Sequence, residues 1–381
     1  MIGAAGAAHP PAGTLVEDIR NWIRRQLANR QLVALIIVLL SIALTIFLVG
    51  DIMAPVFAAI VIAYLMSGVV SRLDARGLPH GLVVVLVFAV FMAVLLVTVF
   101  GLFPLLVRQL TQLVQQVPQI MKGAQSLLVQ FSDQYPTAIS KQQIGDLTAG
   151  IAAEIVSRGQ QVVSLSVTSV VALLTLGIYL VLVPFLVFFL LRDQNRILAW
   201  ITGFLPTERQ LASTVWVEVN EQIANYVRGK AWEILIVGSV TYLVFRLLGL
   251  EYAVLLAAVT GLSVLIPYVG AALVTVPVAL VAYFQFGLAS ELIWVLVAYG
   301  VIQALDGNVL APLLFSEVVN LHPIAVIVAI LFFGGLWGFW GVFFAIPLAT
   351  VIHAVIRAWP RQSMVEPTQD DQPPPEPTSA A

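Results

Sequence analysis

The sequence predicts an all-α, polytopic membrane protein with about eight membrane segments, two of them broken or re-entrant, plus an amphipathic helical insert. Three observations predict it. Hydrophobic residues fill 60% of the 381 positions and charged residues only 10%, against roughly 45–50% and about 25% in soluble domains. The apolar residues are gathered into long charge-free blocks, and a hydrocarbon core of ~30 Å calls for about 20 such residues per helix. The blocks are solid and do not alternate residue by residue. A membrane barrel is thereby disfavoured, and an open sheet edge would leave backbone groups unsatisfied in lipid.

The elements follow in order. Residues 1–31 form a basic cytoplasmic segment carrying Arg20, Arg24, Arg25 and Arg30. The block behind it, 32–50, is longer than the roughly 7–15 residues of a signal-peptide core, so it reads as an uncleaved span. A turn at Asp51 leads to 52–70, and 81–107 makes the third span, so that 32–107 holds the first three transmembrane helices. Residues 108–161 are rich in Gln, with apolar residues at helical spacing (Leu110, Leu113, Val114, Val117; Ile144, Leu147, Ile151, Ile155). They read as an extracytoplasmic insert of amphipathic helices, lying on the membrane, over a cavity mouth, or as a solvated hairpin against their own protein.

A fourth transmembrane run covers 162–191, and a cytoplasmic amphipathic linker covers 192–233. Within the linker, Tyr226, Arg228, Gly229 and Lys230 read as the junction with the next span, their cations facing headgroups. Residues 234–360 read as the transport core. It opens with a short span, 234–250, whose Arg246 can snorkel. Residues 252–290 are charge-free to Ser290 but interrupted by Pro267, Gly270 and Pro277; 292–305 is shorter; 323–356 is broken by Gly334, Gly335, Gly338, Gly341 and Pro347. Thirty-four helical residues would extend about 51 Å, far beyond a ~30 Å core, so each long block must break or fold back. The proline-rich acidic tail, 361–381, reads as a disordered cytoplasmic end. With the N-terminus inside, 13 of the 18 Lys and Arg residues fall in cytoplasmic segments, which places both termini in the cytoplasm.

Breaks in apolar segments are sites where half-helix ends can meet a substrate without burying ions. On that ground Pro267, Tyr268 and Gly270, together with Gly334, Gly338 and Gly341, are candidate pathway residues. The glycines, with Ala345, equally suit a small-residue face for close helix packing. Asp306 follows an apolar run among Gln303 and Asn308. A carboxylate at membrane depth points to cation or proton handling, whereas Asp-Gly-Asn is also ordinary turn chemistry. His322 and His353 are isolated and read as interfacial.

No phosphate-binding loop, His-Glu-x-x-His or Gly-x-Ser-x-Gly is present, and there is no cysteine. Nothing in the sequence calls for a cofactor, a metal, a nucleic-acid partner or catalysis. A secondary transporter working by alternating access is the first functional expectation. A membrane scaffold binding a partner through the 108–161 insert is the second.

Several stretches resemble one family. They are Pro55, Asn225-Tyr226-Val227-Arg228-Gly229-Lys230, Leu248 to Ala253, Ile266-Pro267-Tyr268-Val269-Gly270, Asp306 to Pro312, Leu321-His322-Pro323 and Gly341 to Pro347. Together they make the chain similar to the autoinducer-2 exporter family of bacterial transporters, and within it to the PerM-type permeases, from about residue 30 to 360. The resemblance implies an inner-membrane homo-oligomer in the lipid bilayer that exports small molecules or exchanges sodium ions or protons. Many members of that family carry Glu where this chain has Asp306, and Pro where it has Ala271. The substrate is therefore not carried over, while the acid is kept.

Overall fold

A computed structural model describes residues 41, 48, 52–134, 141–167, 170–203, 210–267, 269–315 and 322–358. The basic N-terminal segment, the first apolar block apart from Ser41 and Leu48, Tyr268 and the acidic tail lie outside the described residues. Within the described residues every regular element is helical.

Helix α1 (Ala54–Asp74) starts on Pro55, whose fixed φ and missing N–H suit a first helical turn. Helix α2 (His80–Val97) passes through a π turn (Thr98–Leu102) into α3 (Phe103–Gln134), so the third span and the insert share one continuous rod. Helices α4 (Lys141–Val167), α5 (Val170–Arg192) and α6 (Gln194–Thr202) follow. α1, α2 and α5 close around Ala59, Ala63, Val83, Val87, Val183 and Val187. The outer face of α2, through Val85, Leu86, Val90 and Val94, is exposed and suits lipid. α3 and α4 form a hairpin in which Val114 lies against Gly159, while Leu147 and Ile151 stay on the outer face of α4.

Helix α7 (Gln210–Leu247) is a 38-residue rod joining the linker and the short span without interruption. It ends in a turn with Gly249 at φ +71°, where the Leu250 amide donates to the Phe245 carbonyl (2.9 Å), the bond of a Schellman cap. Helix α8 (Ala253–Ser263) then runs back along α7. The two cross at glycines: a Cβ on Gly261 would stand 2.9 Å from the Ile234 carbonyl oxygen and 3.1 Å from the Gly238 Cα. The α8 N-terminus has no side-chain cap of its own. Gln109 of α3 supplies one, accepting from the Leu255 amide at 2.8 Å.

The long block 252–290 breaks after Ser263, and α9 (Val269–Phe286) returns beside α8. Its far end comes back to the starting point: Gln285 accepts from the Glu251 amide and donates to the Gly249 carbonyl, each at 2.7 Å. The second long block behaves alike. Helix α10 (Ser290–Leu305), a π turn (Asp306–Leu310) and α11 (Ala311–Phe315) lead to α12 (Pro323–Ala358). Its course is broken at Trp337 and Gly338, the latter at φ +56°, a conformation that costs glycine nothing. Beyond the break the chain doubles back, bringing Ala345 against Ala329 and Phe333. Both blocks too long for one crossing therefore fold on themselves.

Both π turns end two residues before a proline, Pro104 and Pro312. A proline ring collides with the carbonyl four residues back, here Phe100 and Asn308, and the widened turn removes that collision. Six helical stretches among the described residues are long and apolar enough to cross a membrane. α8 is too short for that, and α12 meets the length only if its fold-back is ignored.

Candidate functional site

The site grows from three places where backbone is freed. At the end of α8, Pro267 lacks an N–H and holds its predecessor out of the helical region, so carbonyls at the break need other donors. In α12, Pro347 cannot donate to the carbonyl of Phe343. At the end of α10 the π turn shifts the register, and the Ala311 amide donates to the Asp306 carbonyl.

Helix α7 meets all three. Tyr226, Lys230 and Glu233 stand at i, i+4 and i+7, on one face. The Tyr226 hydroxyl donates to the Phe343 carbonyl at 3.0 Å, and the Lys230 ammonium donates to the Val264 carbonyl at 2.8 Å. The same ammonium donates to Glu233 Oε2 at 2.6 Å and sits 4.9 Å from the centre of the Phe315 ring. Phe315 can lie this close because residue 229 is glycine, where a Cβ would come within 2.7 Å of the ring. Lys230 and Glu233 are only 4% and 3% exposed. Burying either charge alone would be costly, and each is tolerated through the other.

These residues line a cavity of about 370 Å³ between α7, the α8–α9 break, the π turn and α12. Asp306 reaches it from the π turn, and its Oδ1 is buried without a hydrogen-bond partner. Gln303, one helical turn before, donates to the Tyr299 hydroxyl at 2.7 Å, which in turn donates to the Ala271 carbonyl at 3.0 Å. Apolar walls come from Val264, Pro267, Val326 and Ile346. Polar groups on largely apolar walls are the usual make-up of a ligand site.

Of the residues singled out in the sequence, Pro267, Gln303 and Asp306 share this cavity. Gly270 is buried just behind it, where a Cβ would overlap the Ser263 carbonyl oxygen. Asn308 is exposed and donates to the Ala304 carbonyl at 2.8 Å. Gly334 and Gly341 sit in the α12 fold-back, where Cβ atoms would meet Val342 and overlap the Phe333 carbonyl respectively; Gly338 makes the break. Gly334 and Gly341 pack the hairpin, and none of the three is among the cavity's walls.

Lys230 does not face headgroups as its position in the junction suggests. It is buried in the protein interior, where Glu233 and Val264 hold it. Arg228 is half-buried against Gly68 of α1 and donates to the Ala224 carbonyl and the Asn225 amide oxygen. Sequence reasoning missed Tyr226, Lys230 and Glu233 as site residues. The available signal was the Lys–Glu pair at i, i+3 abutting an apolar span.

A family model described as AI-2E family transporter matches residues 15–361. The "Putative permease PerM" of Escherichia coli K12 is 43% identical over 346 residues, covering 91% of this chain and 98% of that protein. The "Putative transport protein YueF" of Bacillus subtilis is 24% identical over 312 residues, 80% of this chain and 84% of its own. A "Putative transport protein" of Haemophilus influenzae is 24% identical over 335 residues, 86% and 92% of the two chains. All three are named for transport, none for an enzymatic reaction.

Proposed function

Since this chain belongs to the AI-2E transporter family, a family of multi-pass bacterial membrane transporters, we propose that it is a secondary permease. It moves a small molecule or a cation by alternating access through the cavity at Asp306, Lys230 and Glu233, in the inner membrane with both termini cytoplasmic. The observation that carries this reading is the meeting of an acid in an apolar candidate span with a buried ion pair at a helix break, beside two segments that fold back on themselves. Ionisable groups at membrane depth mark substrate and ion pathways, and broken helices line cavities where freed backbone finds partners.

In this scheme α7 is the strut. Its Tyr226 holds the α12 hairpin and its Lys230 holds the α8–α9 hairpin, so a shift of α7 moves both walls together. Asp306 is the group left free to take a coupling ion or the substrate. The test is flux of candidate solutes in reconstituted vesicles with imposed sodium and proton gradients. Coupled flux should vanish in Asp306→Asn while the protein still folds. Coupled flux that persists in the variant would refute the role of Asp306.

A further inference from the structure

The hydrogen-bond inventory of the cavity restricts what it can hold, and this inference rests on the transport reading above. Its donors, one N–H of Gln303 apart, are engaged from within the protein. The Tyr226 hydroxyl serves the Phe343 carbonyl. The Lys230 ammonium serves Glu233 and Val264, with its remaining side on the Phe315 ring. Gln303 Nε2 spends one of its two N–H groups on the Tyr299 hydroxyl, and the Ser263 hydroxyl serves the Thr260 carbonyl. The acceptors are in surplus. Asp306 Oδ1 is buried with no partner, and Glu233 accepts at Oε2 alone among the described residues. Carboxylates outnumber ammonium groups by one.

We propose that the cavity takes a small organic ammonium ion, its N–H donors on Asp306 and its hydrocarbon body on Phe315, Val326 and Ile346. An anion would meet two carboxylates and no free ammonium. A polyol brings an acceptor with every donor, and beyond the single N–H left on Gln303 those acceptors would be buried without partners, which is costly. A bare metal cation as cargo would want a fuller shell of oxygens than a cavity walled largely by Val264, Pro267, Val326 and Ile346 provides. The protein already displays the matching mode of recognition in Lys230, an alkylammonium held by a carboxylate, a carbonyl and an aromatic face.

The chain contains no cysteine, so Ala311→Cys places a single thiol in the cavity wall. Its reaction with a water-soluble maleimide is followed in proteoliposomes with propylammonium, propionate or propane-1,2-diol, three probes of similar size. Propylammonium should slow labelling and the other two should not. Adding Asp306→Asn should raise the half-protecting concentration roughly tenfold or more, as loss of a charged hydrogen bond requires, and Asp306→Glu should restore it. Size-exclusion profiles establish that each variant is folded. Equal protection by propionate or the diol, or protection indifferent to residue 306, overturns the ammonium assignment and leaves the transport reading standing. A thiol that never reacts means that water does not reach the cavity, which overturns the transport reading itself.

Discussion

The hydroxyl of Tyr226 lies 3.0 Å from the carbonyl oxygen of Phe343, and Pro347 is the reason that oxygen is available. A residue at 347 with an N–H would claim it within the helix; proline cannot, and a buried carbonyl left alone is destabilising. Tyr226→Phe should therefore cost about 1–3 kcal/mol, read as a lower midpoint in thermal unfolding. In the background of Pro347→Ala, which returns the backbone donor, the same substitution should cost much less. A cycle showing full additivity would mean that the hydroxyl does not stand in for the missing amide.

The Lys230–Glu233 pair should respond asymmetrically. Lys230→Met alone strands a buried carboxylate and should destabilise by roughly 3–5 kcal/mol. Lys230→Met with Glu233→Leu removes both charges and should recover most of the loss. The double variant should fold yet fail to transport, since α7 then loses the ammonium by which it holds the Val264 carbonyl of the α8–α9 hairpin. Unfolding curves and vesicle flux measured on the same preparations separate the two effects.

The glycines of the two hairpins make a third prediction. A methyl at Gly270 or Gly341 would overlap a backbone carbonyl oxygen, of Ser263 or Phe333. Backbone cannot yield as a side chain can, so Gly270→Ala and Gly341→Ala should each cost about 1–3 kcal/mol or more. At Gly300, in the middle of α10, a methyl would find nothing within 4 Å. There Gly300→Ala should stabilise by roughly 0.5–1 kcal/mol through helix propensity alone. Thermal unfolding of the three variants side by side checks the contrast.

These sites show what the sequence could and could not reveal. Block length against bilayer thickness was enough to require that 252–290 and 323–356 turn back, and both do. Asp306, Gln303 and Pro267 were legible because a carboxylate or a proline inside an apolar run stands out. Lys230 and Glu233 were not, because a charged pair at the edge of a span looks the same whether it faces outward or is closed over by neighbouring helices. Tertiary packing of α7 on α8 and α12 decides that. The partnership of Tyr226 with Phe343 joins residues 117 positions apart, beyond any local pattern. Gly334, Gly338 and Gly341 suited both a pathway and a packing face in sequence; Gly334 lies close to Val342 and Gly341 to Phe333, in the packing of the hairpin, while Gly338 makes its break.

Besides the apolar packing of Val117 and Ile120 on Phe284, a hydrogen bond joins α3 to α8, and it gives the last prediction. Gln109 of α3 accepts from the Leu255 amide at 2.8 Å and so caps a helix to which it does not belong. α8 lacks a side-chain cap of its own, and Tyr252 before it adopts φ +56°, a strained conformation for a non-glycine residue. Removing the cap should cost about 0.5–2 kcal/mol, concentrated in the first turn of α8 because that is where the amides lose their partner. Hydrogen exchange in Gln109→Ala should thus accelerate at residues 253–256 while the α7 end of the crossing, at Gly238, keeps its protection. Gln109→Glu retains an acceptor and adds a negative charge at a helix N-terminus, where the dipole favours it, so that variant should keep the first turn protected. If both substitutions left exchange in α8 unchanged, the side chain would be a passive neighbour, and the insert would have no hold on the α8–α9 hairpin at this point.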